Sequence, residues 1–151
     1  KTIENNYDYI FIDSPPSLGI LTLNSLVSSS SVIIPIQCEF YALEGVSQLV
    51  NTLNLIRESL NPQLTIEGVL LTMADFRTNL TVEVINEIRT YFKEKVYKTI
   101  IPRNIKLSEA PSYGKPISIY DNHSIGAKKY RELALEVLGE TVPTENITGL
   151  N

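Results

Sequence analysis

The sequence has 151 residues, of which 43% are hydrophobic and 20% are charged. These values favour one folded domain with its own core and exclude a disordered tail. One Cys and one His exclude an internal disulfide framework and a zinc or iron–sulfur site built by one chain. No apolar run approaches the roughly 20 residues of a membrane-spanning helix, and no signal segment opens the sequence, so we expect a cytoplasmic protein without a membrane partner.

The net charge of −4 conceals an uneven distribution along the sequence. Residues 1–88 carry 3 basic and 10 acidic side chains, whereas Arg89–Arg131 carries 10 basic and 3 acidic ones. Local clusters of charge, rather than the average, set the potential that a phosphate backbone meets. The acidic total therefore does not exclude a nucleic-acid partner.

The first third of the sequence alternates short apolar runs with helical patterns. Tyr7–Asp13 is apolar, ends in a carboxylate and precedes a turn, which predicts a buried parallel strand. Leu18–Val27 is predicted as a short helix. Ser31–Gln37 is predicted as a second buried strand, although Pro35 counts against a central position in a sheet. Apolar residues recur every three or four positions over Ala42–Leu60, which predicts an amphipathic helix.

The middle of the sequence repeats this alternation. Leu64–Met73 is predicted as a third strand and Asp75–Asn79 as a polar loop. The apolar spacing from Val82 to Phe92 predicts a second long helix, for which Thr81 is the expected N-cap. Val96–Ile101 is predicted as a fourth strand.

The last third is less regular before a final helix. Arg103–Asn122 has no sustained period and is predicted to be mostly loop, with one helical turn at Ile105–Glu109. Ser124–Leu138 is predicted as a helix that stops at Gly139. The polar residues 141–151 are expected to form a flexible tail, which leaves 1–140 as the folded part.

The alternation of strands and helices predicts the α/β class with a doubly wound, mostly parallel sheet. Ligands of such sheets bind at the carboxyl ends of the strands. We therefore expect Asp13, Gln37, Met73 and Pro102 at one edge. A carboxylate at a strand end can hold a hydrated Mg²⁺ ion beside a phosphate chain, and the alternative role of Asp13 is to cap the following turn.

Four strings resemble the ParA/Soj family of chromosome and plasmid partition ATPases, a deviant Walker group of P-loop NTPases. They occur in the family's order, and the resemblance extends over roughly Tyr7–Gly139, nearly the whole sequence. The first follows YDYIFI and resembles the Walker B motif and its switch segment. The strings are DSPPSLG from Asp13, FYALEG from Phe40, DFRTNL from Asp75 and IPRN from Ile101 with LSEAPSYGK following it.

The resemblance implies an ATPase that binds ATP and Mg²⁺, forms a homodimer around nucleotide, coats DNA nonspecifically as a nucleoid-associated protein and is stimulated by a ParB-like partner. Asp13 would be the Walker B carboxylate and would act on Mg²⁺ through water. Met73, Pro102 and Arg103 would lie near the adenine. The implied DNA contacts are basic residues of the segment Arg89–Arg131, namely Lys98, Arg103, Lys106, Lys128, Lys129 and Arg131. The alternative is that these residues form an ordinary solvated lysine surface.

The sequence departs from the family in its phosphate loop, because none of its 7 glycines lies in a GKT or GKS string. It resembles the C-terminal part of such an ATPase, without the strand of the phosphate loop. We predict that this chain alone does not hydrolyse ATP and that Tyr7–Asp13 lacks a neighbouring strand, which favours self-association. The alternative function is a non-catalytic regulatory or dimerisation fragment derived from such an ATPase.

Three other classes fit less well. A MinD-like membrane ATPase needs a basic amphipathic C-terminal helix, which TVPTENITGLN does not resemble. A nitrogenase-type iron protein needs two Cys ligands from each subunit, whereas Cys38 is alone. A receiver-like domain needs paired acids and a strand-end Lys partner for Asp13, and no such Lys is evident.

Overall fold

The computed structural model describes residues 4–15, 17, 19–40 and 42–140. They divide into two compact units. One unit comprises Lys1–Val32 and Leu49–Thr65, and the other comprises Ile33–Gln48 and Ile66–Asn151. The expected flexible tail at 141–151 lies outside the described residues, as does Leu18, where the first helix was expected to begin.

The described sheet has three strands in the order β1-β2-β3, which are Ser31–Gln37, Thr65–Ala74 and Val96–Pro102. β2 and β3 run parallel. Four consecutive residues of β2, Gly68–Leu71, are buried, which is typical of a central strand covered on both faces. Pro35 is exposed on β1 at one side of the sheet, where a missing N–H donor is tolerated. The predicted parallel α/β class is confirmed.

The longer helices follow the predicted pattern. α1 is Ile20–Ser28, α2 is Ala42–Ser59, α3 is Asn79–Phe92 and α6 is Ile125–Val137. The predicted N-cap of α3 was wrong. Thr78 caps this helix by accepting a hydrogen bond from the N–H of Thr81, which is itself buried one turn inside. The start of α6 is as predicted, because the Ser124 hydroxyl accepts from the N–H of Ala127.

The segment after β3 is more ordered than expected. The predicted turn at Ile105–Glu109 forms helix α4, but a 3₁₀ helix at Ala110–Tyr113 and the short helix α5 at Ile117–Tyr120 were predicted as loop. Gly114 adopts the left-handed φ of 60° between them, which a glycine accepts without strain. Pro111 and Pro116 broke the sequence period here although each sits at the start of a helix, where proline is tolerated.

The core of the second unit includes a cluster of Leu70, Tyr97 and Ile101. Leu133 and Val137 of α6 pack against it, so the last helix covers this part of the sheet. The Tyr97 ring lies so close to Gly68 that a Cβ atom at position 68 would be 2.3 Å from Cζ of the ring. An alanine at position 68 would require the Tyr97 ring to move.

Several apolar positions of the predicted helices are more exposed than expected. Leu60, Val82, Tyr130 and Leu138 are 53%, 46%, 42% and 51% exposed, respectively. They lie at the ends of these helices or beside the row of buried residues on one helix face. Within the described ranges, no helix is both long and apolar enough to cross a membrane.

The prediction of a buried strand at Tyr7–Asp13 was wrong for this structure. The segment is irregular and exposed, and Phe11 reaches 76% exposure. A strand needs partners for its N–H and C=O groups, and the described sheet contains only β1, β2 and β3. An apolar sequence alone does not create a strand when no neighbouring strand is available to it.

Candidate functional site

The carboxyl ends of the three strands lie side by side in the second unit. The backbone N–H of Cys38, just after β1, donates to the carbonyl oxygen of Thr72 over 2.9 Å. The backbone N–H of Arg103, just after β3, donates to the carbonyl oxygen of Ala74 over 2.9 Å. The structure thus brings together three of the four predicted strand ends, those at Gln37, Met73 and Pro102.

Met73 has an unusual backbone at this edge. Its φ is 55°, in the left-handed region that non-glycine residues rarely adopt. The pairing between β2 and β3 changes register across the same residue, from Leu71↔Ile100 to Ala74↔Pro102. Bulges and positive-φ residues are common beside functional sites, where they redirect the chain. This geometry adds a structural argument for Met73, which the sequence placed at a strand end and which the family resemblance placed near the adenine.

Arg103, just after β3, is held by an acidic residue that follows β1, the strand on the other side of β2. Its guanidinium Nη2 donates to Glu39 Oε1 over 3.0 Å, and both side chains are 54% exposed. Glu39 was not among the residues predicted from the sequence, although it lies two residues after the end of β1. Because the pair is well exposed, a phosphate could compete with Glu39 for Arg103.

A second ion pair closes the loop between β2 and α3. Arg77 binds Asp75 with Nε and Nη2 at 2.8 and 2.6 Å from the two carboxylate oxygens, and its backbone N–H donates to Oδ1 over 3.2 Å. The side-chain hydrogen bond from Arg77, followed by the backbone hydrogen bond, lowers the pKa of Asp75 to about 2. The sequence placed Asp75 and Arg77 in a polar loop and in a family string but assigned them no role. The D-x-R spacing after a strand was the available signal.

Asp13 belongs to the first unit and is exposed in an irregular segment. It does not stand at the end of a strand in the described sheet, so the geometric argument for a strand-end carboxylate is not met here. Its carboxylate is accessible to solvent, as an ion bound through water would require. Among the described residues, no group of three or more His, Cys, Asp or Glu side chains is arranged to hold a metal ion.

The cations predicted to contact DNA have different surroundings. Lys98 is an exposed residue of β3 and Lys128 is exposed on α6. Lys129 donates to Glu132 Oε2 over 2.6 Å, and the Arg131 guanidinium donates to the side-chain and backbone oxygens of Asn122. The positive charge of this surface is therefore partly compensated.

Lys106 has the most elaborate surroundings. Its ammonium Nζ donates to Glu109 Oε2 over 2.9 Å and lies 5.9 Å from the centre of the Tyr120 ring. The Tyr120 hydroxyl donates to the same Glu109 oxygen over 2.8 Å. The hydrogen bonds from Lys106 and then from Tyr120 lower the pKa of Glu109, and the hydrogen bond to Glu109 raises the pKa of Lys106. Glu109 and Tyr120 were not predicted to belong to any site.

Cys38 is not part of a reactive site. Burial raises the pKa of its thiol, with a smaller opposite effect from the backbone hydrogen bond to Thr72. A protonated, buried thiol is a poor nucleophile.

Comparison with known proteins identifies the family. A family model described as an AAA domain matches residues 1–66. The "Sporulation initiation inhibitor protein Soj" of Bacillus subtilis is 62% identical over 137 residues, which cover 91% of this chain and 54% of the relative. The "Chromosome partitioning protein ParA" of Myxococcus xanthus is 54% identical over 143 residues, covering 95% and 50%. The chain is a portion of a ParA/Soj-family protein. It spans about half the length of the curated relatives it matches.

Solved structures extend this ParA/Soj assignment to the fold. Cobyrinic acid a,c-diamide synthase from Mycobacterium smegmatis superposes with a TM-score of 0.73 at 33% identity, over 96% of this chain and 54% of that protein. The same enzyme with a bound ATP analog and magnesium gives a TM-score of 0.69 at 32% identity, with the same coverage. The resemblance that rested on four sequence strings is thus confirmed at the level of family and fold.

Proposed function

We propose that the full-length protein that carries this ParA/Soj portion is a partition ATPase of chromosomes or plasmids. It binds ATP and Mg²⁺, dimerises around nucleotide, binds DNA nonspecifically in the cytoplasm and hydrolyses ATP faster with a ParB-like partner. The observation that carries this proposal is the 62% identity to Bacillus subtilis Soj over 91% of the chain.

The residues of this chain fit one part of a nucleotide site. Met73 and Pro102 are partly buried at neighbouring strand ends and offer apolar surface to a base, with Arg103 beside them. Asp13 would hold Mg²⁺ through coordinated water, for which its exposed carboxylate is suitable. When bound, the ion would neutralise phosphate charge. The phosphate cradle itself is not contributed by this chain, which contains no GKT or GKS string.

The basic segment Arg89–Arg131, called the basic block below, supports nonspecific DNA binding. Contacts to phosphates need charge and reach but no base-reading side chains. Lys98 and Lys128 are exposed, and Lys106, Lys129 and Arg131 keep their cationic groups at or near the surface. We propose these five residues together with Arg103 as the DNA-contacting set.

The ATPase assignment is tested with Asp13→Asn in the full-length protein, measured as ATP turnover with DNA and a ParB-like partner. The matched control is Asp8→Asn, which removes the same charge from the same exposed segment. We expect Asp13→Asn to abolish stimulated turnover and Asp8→Asn to retain it. Equal turnover in the two variants would remove Asp13 from the Mg²⁺ site.

The DNA surface is tested with Lys128→Glu combined with Lys129→Glu, measured as DNA affinity with MgATP at low salt. The control is Lys93→Glu combined with Lys95→Glu, two exposed lysines of the same basic block outside the proposed set. We expect the first pair to lose binding and the second to retain most of it. If both pairs behave alike, binding reflects overall charge rather than this surface.

A further inference from the structure

Lys106 is a proposed DNA contact whose ammonium is already occupied. The ammonium donates to Glu109 Oε2, three residues later on α4, over 2.9 Å. Lys106 is 47% exposed and Glu109 is 37% exposed at the side chain, so solvent reaches both groups. A phosphate oxygen that approaches Lys106 must therefore compete with the Glu109 carboxylate for the ammonium.

Glu109 is held in this position from a second element. Tyr120 of α5 donates its hydroxyl to the same Oε2 atom over 2.8 Å. The Tyr120 ring is itself stacked on Tyr113, with ring centres 5.0 Å apart and planes inclined by 29°. An ordinary exposed pair on one helix exchanges freely with water because both side chains rotate. Here Tyr120, whose ring is stacked on Tyr113, restricts the Glu109 carboxylate through a second hydrogen bond.

Two other charged residues lie close in sequence to the pair of Lys106 and Glu109. Lys115 follows the 3₁₀ helix and Asp121 follows α5. Asp121 Oδ1 accepts hydrogen bonds from the backbone N–H groups of His123 and Ser124, and the charge of Asp121 raises the pKa of Lys106 less than Glu109 does. Glu109 is therefore the carboxylate that the structure pairs directly with Lys106.

We propose that Glu109 masks Lys106 and limits the DNA affinity of the full-length ParA/Soj protein, with Tyr120 as the residue that positions the mask. This inference rests on the proposed DNA-binding function. A limit on affinity is useful to a protein that must leave DNA, because each masked cation reduces the number of counterions released on binding.

The test is a double-mutant cycle between Lys106 and Glu109 in the full-length protein with MgATP, measured as DNA affinity over a series of salt concentrations. If Glu109 masks Lys106, Lys106→Gln costs little affinity in the wild type and more in the Glu109→Gln background. We expect Glu109→Gln alone to raise affinity roughly two- to fivefold, the range of one exposed ion pair. The slope of log affinity against log salt becomes steeper by up to about 0.9.

Two further variants separate masking from a general change of charge. Glu87→Gln removes one negative charge from α3 and is expected to change affinity by much less than Glu109→Gln. Tyr120→Phe removes only the hydroxyl and changes no formal charge at neutral pH. We expect it to raise affinity by a smaller factor than Glu109→Gln, whereas simple loss of structure would lower affinity.

The outcomes are distinct. A Lys106→Gln effect that is equal in both backgrounds overturns the masking, even if the wild type binds DNA well. Unchanged or reduced affinity in Tyr120→Phe overturns the positioning role of Tyr120. A wild-type protein that fails to bind DNA at low salt with MgATP overturns the proposed function and this inference together.

Discussion

The Glu136 carboxylate on α6 accepts a hydrogen bond from the backbone N–H of Thr99 over 3.0 Å. Its other oxygen accepts from the N–H of Lys98 over 2.6 Å. Successive amides of a regular strand point in opposite directions, so their shared partner indicates a local irregularity of β3. The register shift between Val69↔Val96 and Leu71↔Ile100 lies at the same place. One side chain thus joins the last helix to the strand and satisfies two backbone donors.

Glu136→Ala should destabilise the full-length protein by about 1–3 kcal/mol, because it leaves two backbone N–H groups without this partner. The readout is urea unfolding together with amide hydrogen exchange at Thr99, which should become faster. Glu132→Ala is the control on the same helix. It removes a partly exposed pair with Lys129 and should cost less than about 1 kcal/mol. Equal losses in the two variants would contradict the role of Glu136.

Gly68→Ala should destabilise the protein by about 1–3 kcal/mol, because the added Cβ would overlap the Tyr97 ring. Thermal unfolding measures the loss. Gly45→Ala on α2 is the control, since nothing lies within 4 Å of its added Cβ, and it should stabilise the helix by about 0.5–1 kcal/mol. Combining Gly68→Ala with Tyr97→Leu should recover part of the loss, and no recovery would argue against the ring as the obstacle.

The Asp75–Arg77 pair should give a pH dependence in the acid range. The pKa of Asp75 is about 2 in the folded state, below the ordinary value near 3.9. The pair therefore stabilises the protein above about pH 4, and this stabilisation is lost as the pH falls from about 4 towards 2. The titration of the Asp75 carboxyl, followed by NMR, should have its midpoint near 2 and should move towards about 3.9 in Arg77→Gln. An unchanged midpoint in Arg77→Gln would exclude Arg77 as the cause.

The chain alone should self-associate, because Tyr9, Phe11 and their neighbours in the irregular first segment expose apolar side chains. Sedimentation at several concentrations should show a rising average mass. Tyr9→Lys combined with Phe11→Lys should lower it, and Tyr113→Lys, an equally exposed aromatic in the other unit, is the control. A monomer at all concentrations would contradict the prediction.

Calorimetry of the same chain with MgATP should show no binding at micromolar affinity.

The sequence predicted most of the fold because its signals were local. The strand Ser31–Gln37 was predicted with its observed ends, and the helix predicted from Ser124 is α6, for which Ser124 is the N-cap. Both succeeded because the apolar period and the turn residues act within a few positions. The strand at Tyr7–Asp13 failed for the opposite reason, because pairing depends on a partner elsewhere. Thr78 and Thr81 are both suitable N-cap residues near the start of α3, and only the backbone geometry shows that Thr78 is the cap.

The candidate site was predictable only in part. Strand-end positions such as Met73 and Pro102 follow from parallel topology, and the family resemblance placed both near the adenine. The left-handed backbone of Met73 has no sequence signal, since methionine gives no sign of positive φ. The Glu109–Tyr120 hydrogen bond joins residues 11 positions apart across two short helices. The helix of Glu109 was predicted, but the helix of Tyr120 was not, because prolines interrupt the apolar period before it.

The two outer strands of the described sheet differ in their capacity to accept an addition. Beside β3, Glu136 already occupies two backbone donors. Among the described residues, no side chain accepts a hydrogen bond from an N–H group of β1, although the Thr72 hydroxyl donates to the carbonyl oxygen of Ile36 over 3.2 Å, and Pro35 has no N–H. A strand added at the outer side of β3 would therefore have to displace Glu136, whereas one added at the outer side of β1 would not.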